Sequence, residues 1–312
     1  MKPQGAASDL LMKAENAGFF RKWLINALFV TCAATGMAAI PAAWEQFPTK
    51  TNADEWLVYD WGSEPDEDGE VPFYFPEWDS TPDQQHIWFY HNNDYALEFS
   101  ADELTANGAF IGNFVAANVD SITVDLFFED LDEFEKVDCG LFTKGPDGVL
   151  RWYYSEPYTW ADFSTDGWQR DVRFGMEETW THFDGPEPVT VFADELFLQS
   201  VQSVAITFFT VGGSTLDMRV GIDNFVLEPK VIAPKLFTSH TATDFRIAFT
   251  PAPGLSADLR RMSVTAPFTW SDVPGQTFIT GPAQHLFTTP LDEAKKFFRV
   301  EVFPDYLPVT SD

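Results

Sequence analysis

The chain has 312 residues, of which 45% are hydrophobic and 16% aromatic, and it carries a net charge of −29. Such a length suits roughly two domains with real cores, and this composition excludes a disordered chain. The charge excludes a nucleic-acid binder, because so negative a surface repels phosphate, and it disfavours anionic lipid for the same reason.

Arg21 and Lys22 precede an apolar run from Trp23 to Ala39 that ends in small residues. That order is the layout of a secretory signal, assigned to residues 1–43, with cleavage expected after Ala38 or Ala43. An uncleaved membrane anchor is the alternative, since the run approaches spanning length. Basic residues before the run and acidic ones after it place the bulk of the chain outside. The expected location is therefore secreted, periplasmic or on the cell surface of a bacterium, with no membrane span after cleavage. Thr31 and Phe29 fit a lipoprotein signal at Cys32 poorly. Residues 1–43 hold four basic and two acidic side chains, so the remainder carries −31. That remainder keeps one cysteine, Cys139, which rules out an internal disulfide. Its strand-like context, Val137 to Leu141, marks a small buried hydrophobe rather than a nucleophile.

Residues 44–228 read as one all-β domain. Strand-like runs separated by turn signals recur at Trp56–Asp60, His86–His91, Tyr95–Phe99, Ser121–Phe128, Cys139–Thr143, Val149–Tyr154, Trp168–Phe174, Val201–Phe209 and Val220–Leu227. Gly145-Pro-Asp-Gly148 carries the Asp-Gly hairpin signal between two of them. Helical periodicity is weak, the best candidates being Ala101–Thr105 and the stretch around Ala193–Gln199. Residues 229–235 form a Pro-bracketed linker. A second domain, residues 236–303, predicts strands at Asp244–Phe249, Asp258–Ser263, Gln276–Ile279, His285–Thr288 and Lys296–Val302, which suits a compact sandwich. Residues 304–312 are a short tail.

No nucleophile elbow, His-Glu-x-x-His or phosphate-binding Gly-rich loop occurs. Five histidines exist: His86, His91, His182, His240 and His285. The closest two, His86 and His91, fall on opposite faces of one strand and so cannot share a metal. Paired carboxylates are inevitable among 48 acidic residues. The clusters Glu64–Glu70 and Glu129–Glu135 read as solvated loops, with a Ca²⁺ loop as the second reading. Sugar recognition would use aromatic rings that stack on pyranose faces. Trp88 and Tyr90 share one strand face, Trp152 and Tyr154 share another, and Trp160 lies just beyond; Asn92 and Asn93 could add polar contacts. Aromatics at period two are otherwise core residues.

The segment Ala109–Asp125, the strand opening at Trp168 and the closing run Gly221-Ile-Asp-Asn-Phe-Val-Leu227 resemble the jelly-roll, galactose-binding-like and carbohydrate-binding modules of exported bacterial proteins. That resemblance implies a jelly-roll β-sandwich over residues 44–228. It also implies a structural Ca²⁺ held by an early acid and the Asp of the closing strand, here Glu45 and Asp223. Residues Phe245–Phe249, Leu259–Ser263, Phe268-Thr-Trp270 and Lys296-Phe-Phe-Arg-Val300 resemble a fibronectin-III-like module, with Trp270 and Phe298 as core residues. Taken together, these readings predict a non-catalytic exported protein that recognises a polysaccharide or cell-surface glycan through the larger module. The alternative is a structural or adhesion protein of the envelope or extracellular matrix. A polysaccharide-degrading enzyme is a third reading, and it lacks a motif.

Overall fold

The computed structural model describes residues 43–62, 71–81, 84–91, 96–163, 165–184, 187–192, 197–211, 218–240, 244–263, 270–272, 285–290, 296–304 and 306–308. Residues 1–42 of the expected signal, the Glu64–Glu70 cluster, Asn92, Asn93 and the strand at Gln276–Ile279 lie outside these residues, whereas Ala43 opens the first strand.

The chain is all-β. Its larger part opens with β1 (Ala43–Glu45), one short helix α1 (Lys50–Asp54), β2 (Leu57–Asp60), β3 (Phe73–Tyr74), β4 (Glu77–Asp79), β5 (His86–His91) and β6 (Ala96–Ala101). It continues with β7 (Val119–Phe128), β8 (Phe134–Lys144), β9 (Leu150–Ser155), β10 (Tyr158–Thr159), β11 (Gly167–Gly175), β12 (Thr179–Asp184), β13 (Glu187–Phe192), β14 (Val201–Thr210) and β15 (Met218–Pro229). One sheet has seven strands. β11, β7 and β15 lie side by side; the first half of β15 pairs with β5, which pairs with β4, and its second half pairs with β1. The other sheet has nine strands, in the order β13, β12, β9, β8, β14, β6, β2, β3, with β10 beside β8. From β5 to β8 the chain crosses between sheets at every step, the jelly-roll pattern expected from the sequence.

Strand alternation builds the core between the sheets. Ile122, Val124, Leu126 and Phe128 of β7 and Ile222 and Phe225 of β15 supply one wall. Val137, Cys139 and Leu141 of β8 and Val204, Ile206 and Phe208 of β14 supply the other, all at 1% exposure or less. Trp56 wedges between Phe47 and Phe225 with edge-on ring contacts at 5.6 and 5.1 Å. Each such fully buried side chain contributes roughly 1.5–3 kcal/mol of transfer free energy. Cys139 lies in this core as a buried free thiol. The Gly145–Gly148 hairpin joins β8 to β9, with the Gly145 amide donating to Val149 and Gly148 at φ 76°, a left-handed backbone that glycine tolerates.

The helix expected over Ala101–Thr105 does not form, and most of the stretch around Ala193–Gln199 lies outside the described residues. Ala101 is the last residue of β6, and a 3-10 turn occupies Thr105–Gly108 instead. Near Gln199 the described residues show only a 3-10 turn, Leu198–Ser200. Ala101–Thr105 is too short to nucleate a helix against the pull of the neighbouring strand. The α-helix among the described residues, α1, is capped by Thr49, whose hydroxyl accepts from the Asn52 amide.

Beyond Pro229 come β16 (Phe237–His240), β17 (Asp244–Phe249), β18 (Leu255–Ser263), β19 (Trp270–Asp272), β20 (His285–Pro290) and β21 (Lys296–Pro304). They make two three-stranded antiparallel sheets, β16–β17–β20 and β19–β18–β21. Ile247, Phe249, Ala257 and Leu259 form a small core, with Phe298, Val300 and Val302 packed against it. The tail then returns to the larger part: β22 (Leu307–Pro308) pairs in parallel with β1.

Candidate functional site

The two sheets of the larger part each present an outward face, and the aromatic pairs singled out from the sequence divide between them. Trp88 and Tyr90 stand on the outer face of the seven-stranded sheet, their rings edge-on at 5.0 Å. Across this face Glu77, Trp88, Gly221, Phe127 and Trp168 follow one another on adjacent strands. Gly221 is required there, because a Cβ would lie 2.7 Å from the Ile87 carbonyl and 3.1 Å from Trp88 Cβ. The Arg219 guanidinium lies 4.1 Å from the Trp88 ring centroid and 5.7 Å from that of Phe127, and it pairs with Asp79 at 3.6 Å. Arg170 covers Trp168 at 4.7 Å and is ion-paired to Asp125. His86, buried beneath Trp168, is anchored by the Gln84 carbonyl. Trp88, Phe127 and Trp168 are therefore engaged by the protein's own cations, while Tyr90 is exposed.

Trp152 and Tyr154 stand on the outer face of the nine-stranded sheet, while Tyr153 between them turns inward onto Phe197. Their rings lie nearly parallel, at 18°. Both settle over Gly140 of β8, where a Cβ would come within 3.1 Å of the Trp152 ring and 3.7 Å of the Tyr154 ring. Phe142 flanks Trp152 at 5.0 Å. One register step away runs a polar row: Tyr59, Glu98, Thr207 and Asp138 are consecutive cross-strand partners on β2, β6, β14 and β8. Glu98, Thr207 and Asp138 are only 4%, 3% and 3% exposed. Trp61 Nε1 donates to Glu98 at 3.1 Å, and Lys136 Nζ donates to Asp138 Oδ2 at 3.2 Å while lying 4.0 Å from the Phe209 ring centroid. The second oxygen of Asp138 and the Thr207 hydroxyl have no hydrogen-bond partner. Burial pushes Glu98 up to about 7 against the Trp61 hydrogen bond, and the neighbouring Asp138 adds to the rise. Asp138 is also raised by burial, opposed by Lys136. Burial likewise drives the Tyr154 phenol well above its ordinary value, helped by the charges of Glu98 and Asp138. Buried acceptors without donors are costly, so this row is a place where a ligand's donors would be stabilising.

Trp160 opens a 3-10 turn held by Asp162, which accepts from the Thr159 amide and hydroxyl at 2.7 and 2.8 Å. It is 55% exposed, and among the described residues it packs against no other ring.

Glu45 and Asp223, expected to share a Ca²⁺, face opposite sides of the seven-stranded sheet. Glu45 is registered with core Phe225 and accepts from the Phe47 amide at 2.8 Å and Asn52 at 3.3 Å. Burial raises it to about 7. Asp223 is registered with Asp125 on the outer face. There the Asn224 amide donates to it at 2.7 Å, and burial with Asp125 beside it lifts its carboxyl to about 7, against that hydrogen bond. Asn224 sits at a bulge with φ 48°, which turns its side chain to Asp125 at 2.7 Å. The two residues do not fit one hard cation, which needs six or more converging oxygens. Among the described residues no group of three or more His, Cys, Asp or Glu side chains is placed to hold a metal.

The sequence reading missed Glu98, Asp138, Thr207, Trp61 and Lys136. The available signal was an acid at the outward phase of two otherwise apolar strands, Ala96–Ala101 and Val137–Leu141.

No protein-family model matches the chain, and no curated protein matches it. Among solved structures it is similar to a β-1,2-glucanase from Parabacteroides distasonis at 10% identity, covering 85% of this chain and 36% of that one, with a TM-score of 0.31. This chain thus spans about a third of the glucanase. A carbohydrate-binding module specific for non-crystalline cellulose is 14% identical over 62% of this chain and 95% of its own, with a TM-score of 0.35. The L4b domain of human laminin alpha-2 is 12% identical over 62% of this chain and 100% of its own, with a TM-score of 0.39. Likenesses this distant carry no argument about the site, whose reading rests on its own geometry.

Proposed function

We propose that the chain is an exported binding protein that recognises a polysaccharide or cell-surface glycan through the outer face of its nine-stranded sheet. One observation carries this reading. Two nearly parallel rings, Trp152 and Tyr154, lie beside a buried row in which Asp138 Oδ1 and the Thr207 hydroxyl have no partner. Pyranose faces stack on such rings, and sugar hydroxyls supply the missing donors. The smaller sandwich then acts as a spacer or attachment module. A glycan array probed with the purified chain tests the proposal: retention lost on Trp152→Ala, with the circular dichroism spectrum unchanged, is the expected result. Absence of retention on every glycan, with self-association of the chain, would replace it by the adhesion reading.

A hydrolytic reading has one observation in its favour, namely two carboxyls, Glu98 and Asp138, on either side of Thr207, with Glu98 lifted to about 7 and so able to act as an acid at neutral pH. Release of reducing ends from a polysaccharide by the purified chain, abolished in Glu98→Gln, would establish it over simple binding.

A further inference from the structure

We propose that the row formed by Glu98, Thr207 and Asp138 receives a sugar-borne ammonium group, so that the preferred ligand is a glycan of 2-amino-2-deoxyhexose units with free amines. This rests on the carbohydrate reading and names the class of sugar within it.

The argument starts from a charge count. Two carboxyls face one another across Thr207, and Lys136 is the one cation in contact with either of them among the described residues. Lys136 takes one oxygen of Asp138, leaving the other without a donor although it is shielded from water. The Thr207 hydroxyl between the two acids is equally shielded and equally without a partner. The cluster is thus one positive charge and at least one donor short. Burial, with Asp138 beside it, favours the protonated form of Glu98 and so reduces the deficit.

A metal ion answers the deficit poorly. A hard divalent cation wants six or more oxygens, and Lys136 already stands at the site with like charge. An ammonium brings three donors with it and needs only two or three acceptors. Asp138 Oδ1, Glu98 and the Thr207 hydroxyl are such a set. The neighbouring Trp152 and Tyr154 rings favour an ammonium carried on a pyranose over a free amine, since they provide the surface on which the ring would stack. Lys136 occupies a position like the one the ligand's amine would take, against Phe209 and Asp138, and its side chain is 27% exposed. The ammonium's route to the row is displacement of Lys136, the solvent-reaching charge of the cluster among the described residues.

Binding then has a proton signature. Around Glu98 the titratable groups are Asp138, Tyr154 and its register partner Tyr59, and Lys136 reaches the row through Asp138. An ammonium beside Glu98 favours its ionised form, so a proton leaves as the ligand arrives.

The test compares a hexamer of glucosamine, its fully N-acetylated form and a glucose hexamer by titration calorimetry at about pH 6, where most of the sugar amines already carry their proton, in two buffers of different ionisation enthalpy. The expected result is binding of the amine form at least about ten-fold tighter than either neutral hexamer, with proton release seen for the amine alone. Asp138→Asn should erase the preference, and Lys136→Met, which removes the competing cation, should enlarge it. Equal binding of all three hexamers would overturn the ammonium site and leave the carbohydrate reading standing. Binding of none, by a chain with an intact melting transition, would overturn both. Tight binding of a free diamine at the affinity of the glucosamine hexamer would remove the sugar from the inference.

Discussion

The two outer faces of the larger sandwich use the same residue types to opposite ends. On the seven-stranded sheet Trp88, Phe127 and Trp168 are covered by Arg219 and Arg170, and those guanidiniums are themselves held by Asp79 and Asp125. On the nine-stranded sheet no cation lies over Trp152 or Tyr154 among the described residues, and beside them Asp138 Oδ1 and the Thr207 hydroxyl lack a partner. An aromatic pair at period two is therefore not informative by itself. What separates a closed face from an open one is whether the protein supplies the cations that the rings and carboxylates attract.

That contrast can be broken most directly by truncating one ring on each face. Trp88→Ala should lower the unfolding free energy by roughly 2 kcal/mol or more, because it removes the surface that Arg219 covers, and it should leave glycan retention intact. Trp152→Ala should do the reverse, lowering glycan affinity at least about ten-fold with little change in denaturant midpoint. Loss of binding in both variants would collapse the distinction. The next effect is at the glycines. Gly221→Ala forces a Cβ against the Ile87 carbonyl and should cost about 1–3 kcal/mol in urea unfolding. Gly140→Ala presses on the edge of the Trp152 ring, which can tilt, and touches Tyr154 at ordinary contact distance, so it should weaken glycan binding severalfold and stability less.

The smallest effect is on pH dependence. Glu45, Glu98 and Asp223 are each raised to about 7 by burial, from ordinary values of 4.5, 4.5 and 3.8. Between those ordinary values and about 7 the folded chain holds protons that the unfolded chain has released, so stability falls as pH rises through the window. The melting temperature should be a few degrees higher near pH 5 than near pH 7.5, and Glu98→Gln should flatten the slope by its share. A melting temperature that rises with pH would show that these carboxyls are ionised in the folded state.

Much of the fold could be read from local pattern. Runs such as Val201–Phe209 and Val220–Leu227 alternate in sequence as they do in the sheets, and the Gly145–Gly148 turn declares the β8–β9 hairpin. The outward phase of Trp152 and Tyr154 was legible for the same reason. The polar row was not, because residues 98, 138 and 207 become neighbours only through the order β8, β14, β6, which no local signal specifies. The direction of Glu45 was hidden as well. In a strand as short as β1 alternation gives no phase, and the facing Phe225 sets it. Nor did the tail announce itself: Leu307 and Pro308 are an edge pair with no periodicity to detect.

That tail changes what kind of object the smaller sandwich is. The chain leaves the seven-stranded sheet after Pro229, where Lys230 and Asn118 exchange hydrogen bonds of 2.8 Å, and comes back where the Tyr306 hydroxyl donates to Glu228 at 2.7 Å. Departure and return lie within one side chain's reach of each other. The smaller sandwich is thus a lobe spliced into the larger one, with both of its ends stapled at a single point, and β22 is the last stitch. Joining residue 229 to residue 306 with a short flexible bridge should excise the lobe and leave the larger sandwich, β22 included, closed.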